Sequence, residues 1–289
     1  MTAIREVKLA SPSRPTMEGA GVHLRRAFGF GQQELFDPFL MLDDFRGDDP
    51  SQYEAGFPWH PHRGIETITY VLEGEVDHGD SMGNAGTIGG GDVQWMTAGS
   101  GIIHQEMPHG NARGRMGGFQ LWANLPASHK MTEPRYCGIN SAEIPAEEAE
   151  GAHVRVICGT VGGSTGPARD IVIEPEYLDV TLDPGVEWTH PAVPGHTVFA
   201  YLFAGEARFG TADEPIVAGQ GTVVLLADGD TVSIAAGAEG ARFLLVSGKP
   251  LGEPVAWGGP IVMNTREELA TAFRELEEGT FIKHEAAGR

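Results

Sequence analysis

The amino-acid sequence predicts an all-β protein, one β-barrel frame used twice in tandem, with a short C-terminal helix. Three observations carry this. The 289 residues include 41 Gly and 19 Pro, set between short segments that alternate apolar and polar residues. That is the pattern of many strands joined by tight turns. A weak internal duplication repeats the pattern over the second half. Only one stretch, close to the C-terminus, has helical periodicity.

The duplication rests on two anchors. TITYVLEGEV around Gly74 resembles TVFAYLFAGEA around Gly205, 131 residues later. GGGDVQWMTAG, ending at Gly99, resembles AGQGTVVLLADG, ending at Gly229, 130 residues later. Each copy reads as strand, Gly-Glu turn, strand, then a turn into an apolar strand. A front barrel over 1–137 and a rear barrel over 138–289 follow, divided close to the acidic run SAEIPAEEAE. That run contains Pro145 and reads as a connector or a short helix. In the helical stretch, Thr265 and Glu268 form a capping box. Leu269, Phe273 and Leu276 make one apolar stripe for packing on a barrel, and Gly279 stops the helix.

Charge narrows the function classes. Twenty Lys and Arg against forty Asp and Glu leave a net charge of −20, with no basic run. Such a field repels nucleic acid, so direct binding to it is not expected. The two cysteines, Cys137 and Cys158, read as buried free thiols. No apolar run approaches the roughly 18 residues of a membrane span, and no signal-peptide pattern opens the chain. A cytoplasmic protein without membrane contact is expected.

The chemistry concentrates in two doublets, His60 and His62 in WHPHRG, and His104 and Glu106 in GIIHQEMP. Residues two apart on a strand share a face, so two strands can aim three imidazoles and one carboxylate at one point. Three nitrogen donors and one oxygen donor suit a first-row transition metal; Fe, Mn, Ni, Co, Cu and Zn are all admissible. Four protein ligands on a six-coordinate ion leave two positions for dioxygen and a substrate oxygen. Shifted by 130, the four positions fall on His190, Ala192, Ile234 and Ala236. The rear barrel is therefore expected to have the frame but no metal site. His190 reads as an ordinary exposed or hydrogen-bonded histidine.

The strings GFPWHPHRGIET, DVQWMTAGSGIIHQEMP, QLWANLP, KMTEPRY and GPIVMNT, in this order, resemble the pirin family of the cupin superfamily. The resemblance implies a bicupin, two stacked antiparallel β-sandwich barrels. It places the metal ligands on His60, His62, His104 and Glu106, and the metal it implies is ferrous iron. It also implies a quercetin 2,3-dioxygenase type of reaction, in which a flavonol and dioxygen react with release of carbon monoxide. Glu106, as the nearest carboxylate, would take the substrate's hydroxyl proton. The alternative it implies is a redox-sensitive iron protein that binds a transcription factor or a metabolic enzyme. Arg63 faces away from His62 on its strand and has two readings: a residue of the barrel rim that steers an anionic substrate or a partner carboxylate, or one half of an ion pair with an acidic neighbour.

Neighbouring residues complete the reading. Glu66 lies where many other cupins place a ligating carboxylate, and is expected behind the ligands or at the surface. Asp43, Asp44, Glu66 and Gln120 are candidate acceptors for the free N–H of metal-bound imidazoles. Phe57, Trp59, Trp95, Met96, Met107 and Phe119 supply apolar surface near the site, most of it core. His78, His109, His129, His153 and His196 read as bystanders.

Overall fold

The computed structural model describes residues 3–211 and 215–284. The chain forms two compact units, and each draws on separate stretches. One contains Pro15–Leu35, Phe39–Ser141 and Leu251–Arg289; the other contains Met1–Arg14, Phe36–Pro38 and Ala142–Pro250. The units thus differ from a single cut at 137/138 by exchanging their terminal segments. Sheet edges explain the exchange, because an edge strand's N–H and C=O groups need partners. Val7–Pro12 pairs antiparallel with Thr222–Leu226 in the second unit. At the other terminus, Ile261 bridges in parallel to Arg63 in the first unit.

The first unit has two large sheets and one short strand pair, Ala256–Gly258 with Ile261–Met263. The larger runs Arg135–Ile139, Val93–Thr97, Ile65–Glu73, Gly117–Asn124, Phe39–Asp44, Val22–Phe28 and Arg14–Glu18. The smaller runs Phe57–His62, Ile102–His109, Glu75–Asp80 and Ala85–Ile88. Gly74 lets the chain pass from one sheet to the other. Its φ is +76°, and a Cβ there would lie 2.5 Å from the His109 carbonyl oxygen, so only glycine fits.

The C-terminal helix, Arg266–Glu277, begins at the expected capping box of Thr265 and Glu268. It ends in a Schellman motif. Gly279 has φ +71°, its N–H bonds to the Leu276 carbonyl, and Thr280 N–H bonds to the Glu275 carbonyl. The helix buries Ala272, with Leu269 and Leu276 beside it, against Ile261, Met263 and Phe281.

The second unit is a nine-stranded sheet dominated by two long strands, Thr197–Phe209 and Thr231–Gly248. Their pairing shifts register between Gly205 and Ala207, where the glycine has φ +72°. The interior is filled by Val156, Leu178, Leu202, Phe209, Ile234 and Phe243, among others. The acidic run opens with one short 3-10 turn, Ser141–Glu143, and continues as a strand instead of a plain connector. Ala146–Ala149 is a strand paired with Ala152–Cys158. Between them Glu150 and Gly151 have φ of +47° and +83°, the two positive values of a tight hairpin turn. Its carboxylates decorate a sheet edge, where charge discourages further strand addition.

Neither cysteine is in a disulfide; Cys158 is buried, while Cys137 is only half-buried. No helix among the described residues is long and apolar enough to cross a membrane.

Candidate metal centre

Phe57–His62 and Ile102–His109 pair antiparallel, with His104 opposite His60 and Ile102 opposite His62. A register shift after His104 sets Glu106 opposite Phe57. Strand parity then turns His60, His62 and His104 to one side, where their ligand nitrogens lie within 4.8 Å of one another. The ring centroids are 4.4 to 5.0 Å apart.

Tautomers follow from the hydrogen bonds. His60 Nδ1 donates to the Pro58 carbonyl at 2.8 Å, and His62 Nδ1 donates to the Pro260 carbonyl at 3.0 Å. Both Nε2 atoms are therefore lone pairs, and they face each other at 3.1 Å. The Nε2 of His104 is buried without a hydrogen-bond partner. Burial pulls the basicity of all three down, with His62 lowered to about 3. Three neutral imidazoles with converging, unpaired acceptors are a poor arrangement alone and a good one around a cation. The donor set fits a transition metal.

Glu106 is buried and lines the same cavity as His60 and His62. Burial pushes its carboxyl up to about 7, against the Thr69 hydroxyl, which lies 2.8 Å from its Oε1. The same hydroxyl lies 2.8 Å from Gln120 Oε1, and donates to one of the two at a time.

The cavity encloses about 650 Å³, within the range of small-molecule sites. Its apolar walls include Met41, Phe45, Phe57, Met116, Trp122 and Trp257. Trp122 meets the edge of the His62 ring at 5.0 Å. Of the aromatic residues expected near the site, only Phe57 lines it. Trp95 and Phe119 are buried away from the cavity, and Trp59 is largely exposed.

Several expectations about neighbours are corrected. The partners of the His60 and His62 N–H groups are backbone carbonyls, not Asp43, Asp44, Glu66 or Gln120. Glu66 is three residues from Thr69 on one strand, so it points to the opposite face. There it accepts hydrogen bonds from Trp95 Nε1 at 3.1 Å and Thr97 Oγ1 at 2.7 Å. Asp44 pairs with Arg46 at 2.6 Å. Arg63 is not at a rim but 2% exposed. It donates to the Ser100 carbonyl at 2.6 Å, Glu275 Oε2 at 2.8 Å and the Phe281 carbonyl at 2.8 Å. Its guanidinium also lies 4.2 Å from the centroid of the Phe281 ring. Arg63 thus clamps the C-terminal helix and cannot steer a ligand. Beside it, buried Lys130 donates from Nζ to the carbonyls of Gly64 and Val262 and to Asn124 Oδ1. It ties the turn after His62 to the segment carrying Pro260. Among the bystander histidines, His78 bonds to the Tyr136 hydroxyl and His109 to Asp77.

The second unit shows what the same frame looks like without these donors. Trp188 stands opposite Ile234 and His190 opposite Val232. By register, Trp188 therefore takes the place of His60, and His190 that of His62, two residues from where the 130 offset puts it. His190 is buried, bonds to Glu176 at 2.8 Å and stacks on Trp188. Ile234 and Ala236 belong to the apolar core.

Comparison with known proteins agrees with this architecture. Residues 21–123 match the family model for pirin, and residues 177–282 match that for the pirin C-terminal cupin domain. A pirin-like protein of Caulobacter vibrioides is 45% identical over 280 residues, covering 96% of this chain and 99% of its own. Human pirin is 40% identical over 286 residues, covering 96% of each chain. The crystal structure of a quercetin 2,3-dioxygenase from Acinetobacter baumannii superposes with a TM-score of 0.87 at 32% identity, covering 96% of this chain and 98% of that one. With two cupin units, a histidine triad in one of them and these relatives along nearly its whole length, the chain belongs to the pirin family.

Proposed function

We propose that the protein is a metal-dependent dioxygenase that opens the central ring of flavonols such as quercetin, using dioxygen and releasing carbon monoxide. The observation that carries this is the convergence of three imidazoles, those of His62 and His104 buried, at a cavity of about 650 Å³ with aromatic walls that His60 and His62 line. His60, His62, His104 and Glu106 would hold ferrous iron. When bound, the metal supplies Lewis acidity that favours the ionised 3-hydroxyl and a one-electron route to dioxygen. The remaining work belongs to side chains. The Glu106 carboxyl, high in basicity for its kind, accepts the proton of the 3-hydroxyl. Thr69 orients that carboxyl by its hydroxyl. Trp122, Met41 and Phe45 offer flat apolar surface to a planar ring system and exclude water from it. Carbonyl acceptors on His60 and His62 keep the Nε2 lone pairs turned inward. The relative in Acinetobacter named as a quercetin 2,3-dioxygenase supports the substrate class.

The test is elemental analysis of the purified protein beside the loss of quercetin's visible absorbance. Iron at about one per chain with turnover is expected, and His62→Ala should lose both. Turnover by rigorously metal-free protein would overturn the reading. The alternative of a redox-sensitive binding partner has less support, because Arg63 is buried under the helix and offers no recognition face.

A further inference from the structure

The inner face of the seven-stranded sheet carries one straight row of polar side chains. Register sets Arg26 opposite Asp43, Asp43 opposite Gln120, and Gln120 opposite Thr69, on four successive strands. All four line the cavity, as do Glu18 at one end of the row and Glu106 at the other. Hydrogen bonds organise both ends. Arg26 Nε and Nη2 grip Asp43 at 2.8 and 2.7 Å, and Nη1 reaches Glu18 at 2.9 Å. At the metal end, Thr69 lies between Gln120 and Glu106. An apolar row flanks this polar one, with Met41 opposite Trp122. Neighbouring strands are roughly 4.8 Å apart, so Asp43 and Thr69, two spacings distant, are separated by about 10 Å.

The far end has a definite chemical character. One guanidinium faces two carboxylates, for a net charge of −1. The guanidinium fork is occupied by Asp43, so it is no receptor for an anion. What remains open to a ligand is carboxylate and amide oxygen, which accepts hydrogen bonds and repels negative charge.

We propose that this row is a specificity-determining subsite: it selects planar ligands that present neutral hydroxyl donors at the Glu18–Arg26–Asp43 end, about 10 Å from the Thr69–Glu106 end, and it rejects ligands with an anionic group there. The carboxylate oxygens keep lone pairs beyond those used by Arg26, so hydroxyl donors gain hydrogen bonds there, and like charge penalises an anionic group. The proposal rests on the reading of the cavity as a flavonol site.

The test is a binding series on metal-loaded, full-length protein, read without oxygen by quenching of tryptophan fluorescence, since Trp122 and Trp257 line the cavity. Three probes are compared: quercetin, the flavonol galangin without hydroxyls on its distal ring, and quercetin sulfonated on that ring. Wild type should bind quercetin about tenfold more tightly than galangin, and galangin more tightly than the sulfonate. Glu18 is half-exposed, with 43% of its side chain accessible, so Glu18→Gln preserves the fold. That variant should raise the affinity for sulfonate relative to galangin by about tenfold. Equal affinity of wild type for all three, a sulfonate-to-galangin ratio unmoved by Glu18→Gln, or no binding of any probe overturns the proposal. The dioxygenase reading fails separately: graded binding without turnover in air removes that reading and leaves the selective row intact, whereas turnover with ungraded binding does the reverse.

Discussion

The two barrels use one frame to opposite ends. In both, a left-handed glycine breaks the run: Gly74 carries the chain between two sheets, and Gly205 marks a register shift within one long strand. In both, a short strand pairs with a longer one, so that His60 opposite His104 corresponds to Trp188 opposite Ile234. The first barrel puts donors at these places and keeps a cavity in front of them. The second puts apolar side chains there and packs its interior with Val, Leu, Ile and Phe. His190, the one donor it keeps, is neutralised as a potential ligand by Glu176. Scaffold and site are therefore separable: the same register carries a cluster of histidines or an ordinary core, depending on the side chains placed on it.

That comparison can be broken, most decisively at the ligands. His62→Ala should take bound metal from about one per chain to near zero by elemental analysis, while His190→Ala should leave it unchanged. Next in size is packing. Phe209→Ala in the filled barrel should cost about 3–5 kcal/mol in a denaturant titration. Trp122→Ala, on a cavity wall, should cost less stability and more flavonol affinity. Similar losses of stability at the two sites would contradict the hollow-versus-filled distinction.

The clamp on the C-terminal helix comes third. Arg63→Met removes three hydrogen bonds, two of them buried and made to the carbonyls of Ser100 and Phe281. A loss of about 3 kcal/mol is expected, with faster amide exchange in residues 266–277. Unchanged exchange there would show that the clamp does not hold the helix.

Acid sharpens the contrast further. In metal-free protein, burial holds the folded-state basicity of His62 at about 3, against about 6.5 unfolded. Below the unfolded value the unfolded chain binds more protons, so this contribution is complete above about pH 6.5 and is lost as pH falls toward 3. The apo-protein should lose up to about 1.4 kcal/mol per pH unit for each such histidine. His62→Ala should flatten that slope. The smallest effect is His190→Ala, about 1 kcal/mol for one hydrogen bond to a partly exposed carboxylate.

Which parts were legible in the sequence follows from the range of the interactions. The ligand doublets could be read because strand parity is local: two residues apart means one face. The capping box and Gly279 could be read because helix ends are governed by the nearest four residues. The partner of the His62 N–H could not, since Pro260 is 198 residues away and belongs to the turn between two short strands near the far end of the chain. For the same reason the sequence left Arg63 open between a rim residue and an ion pair, and Glu275 decides for the ion pair. Alternation put it opposite His62, but whether that side met water or a helix depended on where residues 266–277 docked. The strand in the acidic run was missed because its charge suggests a solvated connector, while its edge pairing with Ala152–Cys158 is invisible without the partner. The duplication was found, yet the offset slipped by two at His190, since a pleat repeats every two residues and a slip of two preserves the pattern.

The sequence by itself determined the repeated β-frame, the three histidines and Glu106 as the polar donors of one copy, and the boundaries of the single helix, because each is set by short-range periodicity and side-chain chemistry. Tertiary structure alone decided that carbonyls orient the imidazoles, that Arg63 is a clamp, and that Glu18, Arg26, Asp43, Gln120 and Thr69 form one row. Those facts depend on strand order and register across the sheet, and the chain meets itself there over distances no local pattern encodes.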